Sequence, residues 1–179
     1  MKIVILNGSP RPRGSSSRLL AAFTDGAQAA SHSLTRFDLD RMNIHPCRAC
    51  YYCEDHDGVC IRRDDMAKVL KSILDAELLV FATPMYYFGM SAQLKTAIDR
   101  FFAADGKLRA KRMKSVLIAP AADSDPAVSR GLLAHYEQIC QYLRLQDQGR
   151  LLALGINEPE DLDGTAFLDA ARALGAGLV

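Results

Sequence analysis

Three stretches of the chain gather side chains that can do chemistry. The first is Asn7-Gly8-Ser9-Pro10-Arg11-Pro12-Arg13-Gly14-Ser15-Ser16-Ser17-Arg18. Ser9, Ser15, Ser16 and Ser17 offer hydroxyl donors, and Arg11, Arg13 and Arg18 offer fixed positive charge. No carboxylate interrupts the run from Asn7 to Phe23. That is the composition of a phosphate cradle. It lacks the Lys of a nucleoside-triphosphate loop, and Gly8 and Gly14 are too far apart for a Gly-x-Gly-x-x-Gly turn, so a terminal monophosphate suits it better. The plainer alternative is a solvated loop that caps the helix after it. The second stretch is Pro84-Met85-Tyr86-Tyr87-Phe88-Gly89. Three consecutive aromatics cannot all face a core, so at least one should border a crevice as a platform for a planar ligand; simple packing under a loop is the alternative.

The third stretch holds Cys47, Cys50, Cys53 and Cys60, spaced C-x2-C-x2-C-x6-C. Closely spaced thiolates can turn to one centre with little loop entropy to lose, as an iron–sulfur cube requires. Free thiols, a zinc site and a redox disulfide are the other readings, zinc being less natural at this crowding. Cys140 sits in a helical pattern beside Ile139 and reads as a core thiol. His32, His45, His56 and His135 show no metal spacing. No Ser-His-Asp grouping and no nucleotide-binding Lys point to a hydrolase or kinase.

These residues need a frame. Lys2–Leu6 and Leu78–Ala82 are short apolar runs of the kind buried on both faces in a parallel sheet, and Ser115–Ala119 is a third. Leu34–Leu39 alternates and should lie near an edge; Gly149–Leu154 gives the last strand. Helices are expected over 16–30, from Met66 with Asp64 and Asp65 at its start, from Ser91 with Leu94, Ile98, Phe101 and Phe102 inward, over 127–143, and over 165–174. Asp99 and Arg100 read as an ion pair on a helix face. Strands alternating with helices predict right-handed βαβ units in a doubly wound, five-stranded parallel sheet of order 2-1-3-4-5. Ligands bind such sheets outside the carboxyl ends, between strands one and three. Both the serine-rich turn and the aromatic loop follow those two strands. A phosphate at one end and a flat apolar platform at the other describe FMN.

With 179 residues, one domain over 1–179 is expected. A net charge of +1 gives no reason to expect nucleic acid as partner. No apolar run approaches membrane-spanning length, so a soluble, cytoplasmic protein without a membrane partner is expected. In that reducing compartment five cysteines point to metal or redox chemistry before a disulfide framework.

The order and spacing of Gly8-Ser9-Pro10-Arg11, the serine-rich turn, Thr83 through Lys95, and Ile98-Asp99-Arg100 resemble the NADPH-dependent FMN reductases and iron–sulfur flavoproteins of the flavodoxin-like superfamily. The resemblance runs from the first strand to about Phe102. It implies a flavodoxin-like FMN-binding fold, with phosphate contacts from Ser9, Arg11, Ser15, Ser16 and Ser17. Pro84, Met85, Tyr86, Tyr87, Phe88 and Gly89 would border the flavin ring and ribityl chain. Ser15-Ser16 stands where relatives usually carry Asn-Thr. The third loop, around Asp123 and Ser124, matches weakly.

The implied activity is that of an FMN-containing NAD(P)H oxidoreductase. It would reduce a quinone, flavin or other small acceptor by ping-pong hydride transfer, with no side chain needed as acid or base. The alternative is an electron carrier with a [4Fe–4S] cluster on the four cysteines, passing electrons between a ferredoxin-like partner and FMN. A homo-oligomer, dimer or tetramer, is implied as well.

Overall fold

The computed structural model describes residues 1–179. In chain order the elements are β1 (Lys2–Asn7), α1 (Ser15–Ala29), β2 (Ser33–Asp38), α2 (Met66–Asp75), β3 (Leu78–Ala82), β4 (Met85–Tyr86), β5 (Gly89–Met90), α3 (Ala92–Asp99), α4 (Asp105–Lys111), β6 (Lys114–Ala121), α5 (Arg130–Leu143), β7 (Gln146–Leu154) and α6 (Phe167–Ala176). Five strands make one parallel sheet in the order β2-β1-β3-β6-β7. With the small β4–β5 hairpin set aside, this is the expected 2-1-3-4-5. The apolar runs occupy the centre, where all five residues of β3 are buried. The alternating β2 lies at an edge, with half of its residues exposed and only Phe37 buried.

The sheet's two faces carry two cores. Val4 and Leu6 of β1 point to one, with Met66, Val69 and Ile73 of α2, Leu94 of α3 and Leu132 of α5. Ile3 and Ile5 point to the other, with Leu19, Leu20 and Phe23 of α1 and Ala171 of α6. Side chains alternate along a strand, so one sequence feeds both layers. α1 and α6 approach closely enough that a Cβ at Gly26 would lie 2.0 Å from the Arg172 carbonyl oxygen, and one at Gly175 would lie 2.2 Å from that of Phe23.

The expected helix from Ser91 does not run to Phe102. It ends at Asp99, tightens into a 3₁₀ turn over Arg100–Ala104, and restarts as α4. The change of pitch buries Phe101 but turns Phe102 out, at 42% exposure, edge-on to Tyr51 with ring centroids 5.8 Å apart. Asp99 and Arg100 do not pair with each other; Asp99 accepts from Lys95 Nζ at 2.5 Å, and Arg100 turns inward. No helix is long and apolar enough to cross a membrane.

The close α1–α6 crossing leaves no room for a methyl. Gly26→Ala should lower the urea unfolding free energy by about 1–3 kcal/mol, the usual range for overpacking, whereas alanine at exposed Gly106, which meets nothing within 4 Å, should not.

Candidate functional site

At the carboxyl ends of β1, β3 and β6, and under the chain that leaves β7, lies a cleft of about 200 Å³. One end of it is the turn between β1 and α1. Ser9 N–H donates to Asn7 Oδ1 at 3.2 Å, Arg11 N–H donates to Ser9 Oγ at 3.3 Å, and Gly14 N–H closes on the Arg11 carbonyl at 3.1 Å. A Cβ at Gly14 would come within 2.9 Å of Arg11 Cβ, so the turn needs glycine there. α1 starts with no capping side chain and no acidic residue in its first turn. Its free N–H groups and the positive end of its dipole are therefore left to an external anion. Ser9, Ser15 and Ser16 line this end.

The other end is flatter and less polar. Pro84, Met85 and Tyr86 come from the segment after β3, and Pro120, Ala121 and Ala122 from the end of β6. Ile156 and Asn157 close the cleft from beyond β7. Two-residue hairpin turns favour a positive φ at both central positions, and here Tyr87 (φ 45°) and Phe88 (φ 63°) supply it without glycine. Tyr87 is fully exposed at the tip and Phe88 is 63% exposed, so of the three aromatics only Tyr86 faces the cleft.

Seven of the residues named from sequence thus meet in one place: Ser9, Arg11, Ser15, Ser16, Pro84, Met85 and Tyr86. Ser17 turns its hydroxyl away, donating to the Arg11 carbonyl at 3.3 Å and accepting from Arg36 Nη2 at 3.4 Å. Tyr87, Phe88 and Gly89 lie outside the lining. Two of the arginines pair with the segment after β7. Arg11 faces Glu158 at 3.6 Å, and Arg18 donates to Asp163 at 2.5 Å and to the Pro159 carbonyl. Asp123 and Ser124 do not line the cleft; Asp123 caps its own loop by accepting from Asp125 N–H at 2.9 Å. Pro120–Ala122, Ile156 and Asn157 carry no chemical signature in sequence, and only their position after the third and last sheet strands could have marked them.

The cysteines lie in the long segment between Arg41 and Met66, which has no helix or strand. Its neck is held by a buried ion pair. Arg100 donates to Asp64 through Nη1 at 2.7 Å and Nη2 at 3.1 Å, with side-chain exposures of 2% and 3%. The Arg100 Nη1 also donates to the His45 carbonyl, while Asp64 accepts from the His45 and Met66 N–H groups. Burial works against the Asp64 charge, but the Arg100 hydrogen bonds and charge and the His45 and Met66 N–H groups together outweigh it and hold the carboxyl below its ordinary range.

Inside the segment, Cys47 and Cys50 are exposed and Cys53 and Cys60 half-buried against the core. Burial, then the proximity of Cys60, Cys47 and Cys50, pushes the Cys53 thiol up. Even so, no three Cys, His, Asp or Glu side chains are grouped to hold a metal ion. The [4Fe–4S] ligand set expected at Cys47, Cys50, Cys53 and Cys60 is therefore not shown; two of these thiols face solvent and two are half-buried. Cys140 is buried, as expected, 3.4 Å from Ser115 Oγ. Of the histidines, His56 stacks on Tyr52 at 3.6 Å and His32 meets the N-terminal amine at 3.1 Å.

The sheet order and the placement of the cleft define a flavodoxin-like protein. The family model for NADPH-dependent FMN reductase matches residues 1–156, and the chain belongs to that family. It is 28% identical over 97% of both chains to YwqN of Bacillus subtilis, named an NAD(P)H-dependent FMN-containing oxidoreductase. It is 32% identical over 100 residues to an iron–sulfur flavoprotein of Archaeoglobus fulgidus, a match spanning 56% of this chain and 45% of that one. The chain spans about half the length of the iron–sulfur flavoproteins it matches. Among solved structures, the NAD(P)H:quinone oxidoreductase of Methanothermobacter marburgensis superposes with a TM-score of 0.77 at 19% identity, over 98% of this chain and 94% of that one.

The buried pair carries a stability prediction. Asp64→Ala leaves Arg100 charged and unpaired in the interior and should cost about 3–5 kcal/mol in urea unfolding at pH 7. The folded pKa of Asp64 is lowered, so its stabilisation is complete above the unfolded carboxyl value of about 3.9 and is lost as pH falls through the folded value. The gap between wild type and Asp64→Ala should therefore narrow below about pH 4; a gap constant to pH 2 would show that the charge is not what holds the neck.

Proposed function

We propose that the chain is an FMN-dependent NAD(P)H oxidoreductase that reduces a quinone, a flavin or another small acceptor by ping-pong hydride transfer. The single observation that carries this is the cleft. It joins an uncapped helix start lined with hydroxyls to a flat, proline- and tyrosine-lined end, between the two strands where doubly wound sheets bind ligands. The residues fit FMN. The α1 N–H groups with Ser9, Ser15 and Ser16 would hold the phosphate, and Pro84, Met85 and Tyr86 would border the ring. FMN, when bound, supplies the hydride chemistry. The chain binds and orients it: Ser91 and Thr83 fix the spacing of the two loops, and Asn157 and Ile156 cover the side facing β7. With Tyr87 and Phe88 exposed beyond the cleft, the rim is open to a second reactant. NAD(P)H and the acceptor would use it in turn.

A homo-oligomer is part of this reading. Tyr51, Phe102 and Tyr142 are exposed aromatics, and Phe102 and Tyr142 border an apolar groove of about 300 Å³ between α3, α4 and α5. A second subunit would cover it; light scattering at a monomer mass would remove this part.

A second reading, an electron carrier with a ferredoxin-like partner, draws support from the names of the iron–sulfur flavoproteins among the relatives. The thiols as arranged do not fit a cluster, so no step is assigned to one. Stoichiometric iron and acid-labile sulfide in anaerobically purified protein would make this reading the better one.

Two outcomes test the main reading. Ser16→Asp puts a carboxylate where the phosphate belongs and should weaken FMN binding by about 100-fold or more while leaving riboflavin binding nearly unchanged, read by flavin fluorescence. Steady-state plots of NADPH against a quinone should give parallel lines; lines that converge for every acceptor would exclude the shared rim.

A further inference from the structure

Between the cysteine segment and the start of α4 lies a second cavity, of about 350 Å³. That is within the range of small-molecule sites, about 300–1,000 Å³. It shares no residue with the cleft. Cys53, Glu54, Asp57 and Phe102 line it, with Asp105 and Lys107 of α4. Its charge is unbalanced. Three carboxylates face one ammonium, and Lys107 Nζ donates to the Asp57 carbonyl, at 3.4 Å, instead of to a carboxylate. Arg109 stands 3.8 Å from Asp105 and leaves Glu54 and Asp57 without a cation.

The fold brings a second thiol toward Cys53. The chain turns back at once: Gly58 N–H donates to the Cys53 carbonyl at 2.9 Å, and Val59 N–H to that of His56 at 2.8 Å. Gly58 has φ 82°, and a Cβ there would lie 2.4 Å from the Ala103 carbonyl oxygen, so only glycine lets this turn sit against the 3₁₀ segment before α4. Cys60 follows two residues later, and Cys53 and Cys60 pack on the same core. Burial pushes the Cys53 thiol up, and among the neighbouring thiols Cys60 adds most to this. Cys60 also lies against Arg100, whose charge is kept against burial by Asp64 first and by Cys60 next, and whose Nε is buried without a partner. Cys47 and Cys50 differ. Both are exposed, and Cys47 Sγ turns back on its own backbone to accept from Ala49 N–H at 3.4 Å.

We propose that Cys53 and Cys60 are a redox-active pair that exchanges with small cationic disulfides entering through this cavity. Cys53 gives its proton to solvent, and its sulfur attacks one sulfur of R–S–S–R, expelling RS⁻, which takes up a proton as RSH. Cys60, deprotonated in turn, attacks Cys53 Sγ and expels the second RS⁻. Two electrons pass from the thiol pair to the small disulfide: the Cys53–Cys60 bond forms, the R–S–S–R bond breaks, and two RSH leave. In reverse, a small thiol attacks Cys53 Sγ from the cavity, and the departing Cys60 thiolate forms beside Arg100. The excess of carboxylates favours a disulfide that carries amines over one that carries acids.

The test is oxidation of the reduced full chain with cystamine, which is cationic, and separately with glutathione disulfide, which is acidic. Alkylation and peptide mass spectrometry follow. Cleavage after Glu54 separates the two cysteines, so a bond between them keeps two peptides joined. Wild type should lose two alkylatable thiols and show the Cys53–Cys60 link, reversed by dithiothreitol, and should do so about tenfold faster with cystamine. Asp57→Asn should narrow that ratio. Cys60→Ser should stop at the mixed disulfide on Cys53, whereas Cys47→Ser should behave as wild type. A bond between Cys47 and Cys50 instead, equal rates with the two disulfides, or iron and sulfide held on the four thiols overturns the proposal. The reductase reading fails separately: a chain that retains no FMN can still carry this exchange.

Discussion

One serine ties the two halves of the cleft together. Ser91 is fully buried; its hydroxyl donates to the Gly8 carbonyl at 2.7 Å and accepts from Leu94 N–H at 3.4 Å. Its own N–H donates to Thr83 Oγ1 at 2.8 Å, and that hydroxyl donates in turn to the Pro84 carbonyl. A buried carbonyl at the end of a strand must find a donor or cost stability, and the chain has left the sheet where Gly8 begins its turn. Ser91 satisfies that carbonyl and caps α3 at once. A Cβ at Gly8 would lie 2.4 Å from Ser91 Oγ, so the pair admits only glycine on one side and a small donor on the other. The separation between phosphate end and planar end is thereby fixed by hydrogen bonds within the interior, with the ligand contributing nothing to it.

The same constraint shows which contacts are free for a ligand. Sequence suggests a cradle of hydroxyls and arginines, yet Arg11 faces Glu158 and Arg18 is held by Asp163 and Pro159, all in the segment after β7. These pairs pull that segment over the turn and bring Asn157 into the cleft. The anion end is therefore built mainly from N–H groups, hydroxyls and the α1 dipole, while Arg11 and Arg18 also shape the enclosure. Exposed ion pairs of this kind contribute little to stability, and geometry is their larger effect.

What could be read in the chain follows from the range of the interaction concerned. β1, β3 and β6 were legible because a strand buried on both faces must be apolar throughout, and Ser9, Ser15 and Ser16 because hydroxyls cluster for a reason. α4 left no trace, since Leu108 is its only buried residue and one apolar position sets no period. Phe102 was misplaced by extending a 3.6-residue period across a 3₁₀ turn. The partner of Arg100 is 36 positions away, and nothing local distinguishes a charge that will be buried from one that will be solvated. Pro120–Ala122 and Asn157 entered the site through topology alone.

That distant pair also explains why a stretch with no helix or strand between Arg41 and Met66 keeps a defined path. A long loop costs chain entropy to close, and the cost is met at its neck. There Arg100 and Asp64 bridge the His45 and Met66 ends, and Asp65 adds a hydrogen bond to Asn43 N–H at 2.8 Å. Burying two charges is unfavourable by itself, which makes such a pair a device for position more than for stability. Beyond the neck, Gly58 N–H returns to the Cys53 carbonyl at 2.9 Å, and Tyr51 leans on Phe102. The cysteines are thus presented from a fixed base on a tip whose own contacts are sparse. That combination keeps Cys53 and Cys60 against the core while Cys47 and Cys50 stay in solvent, near enough to act on Cys53 but not grouped as a set that holds a metal ion.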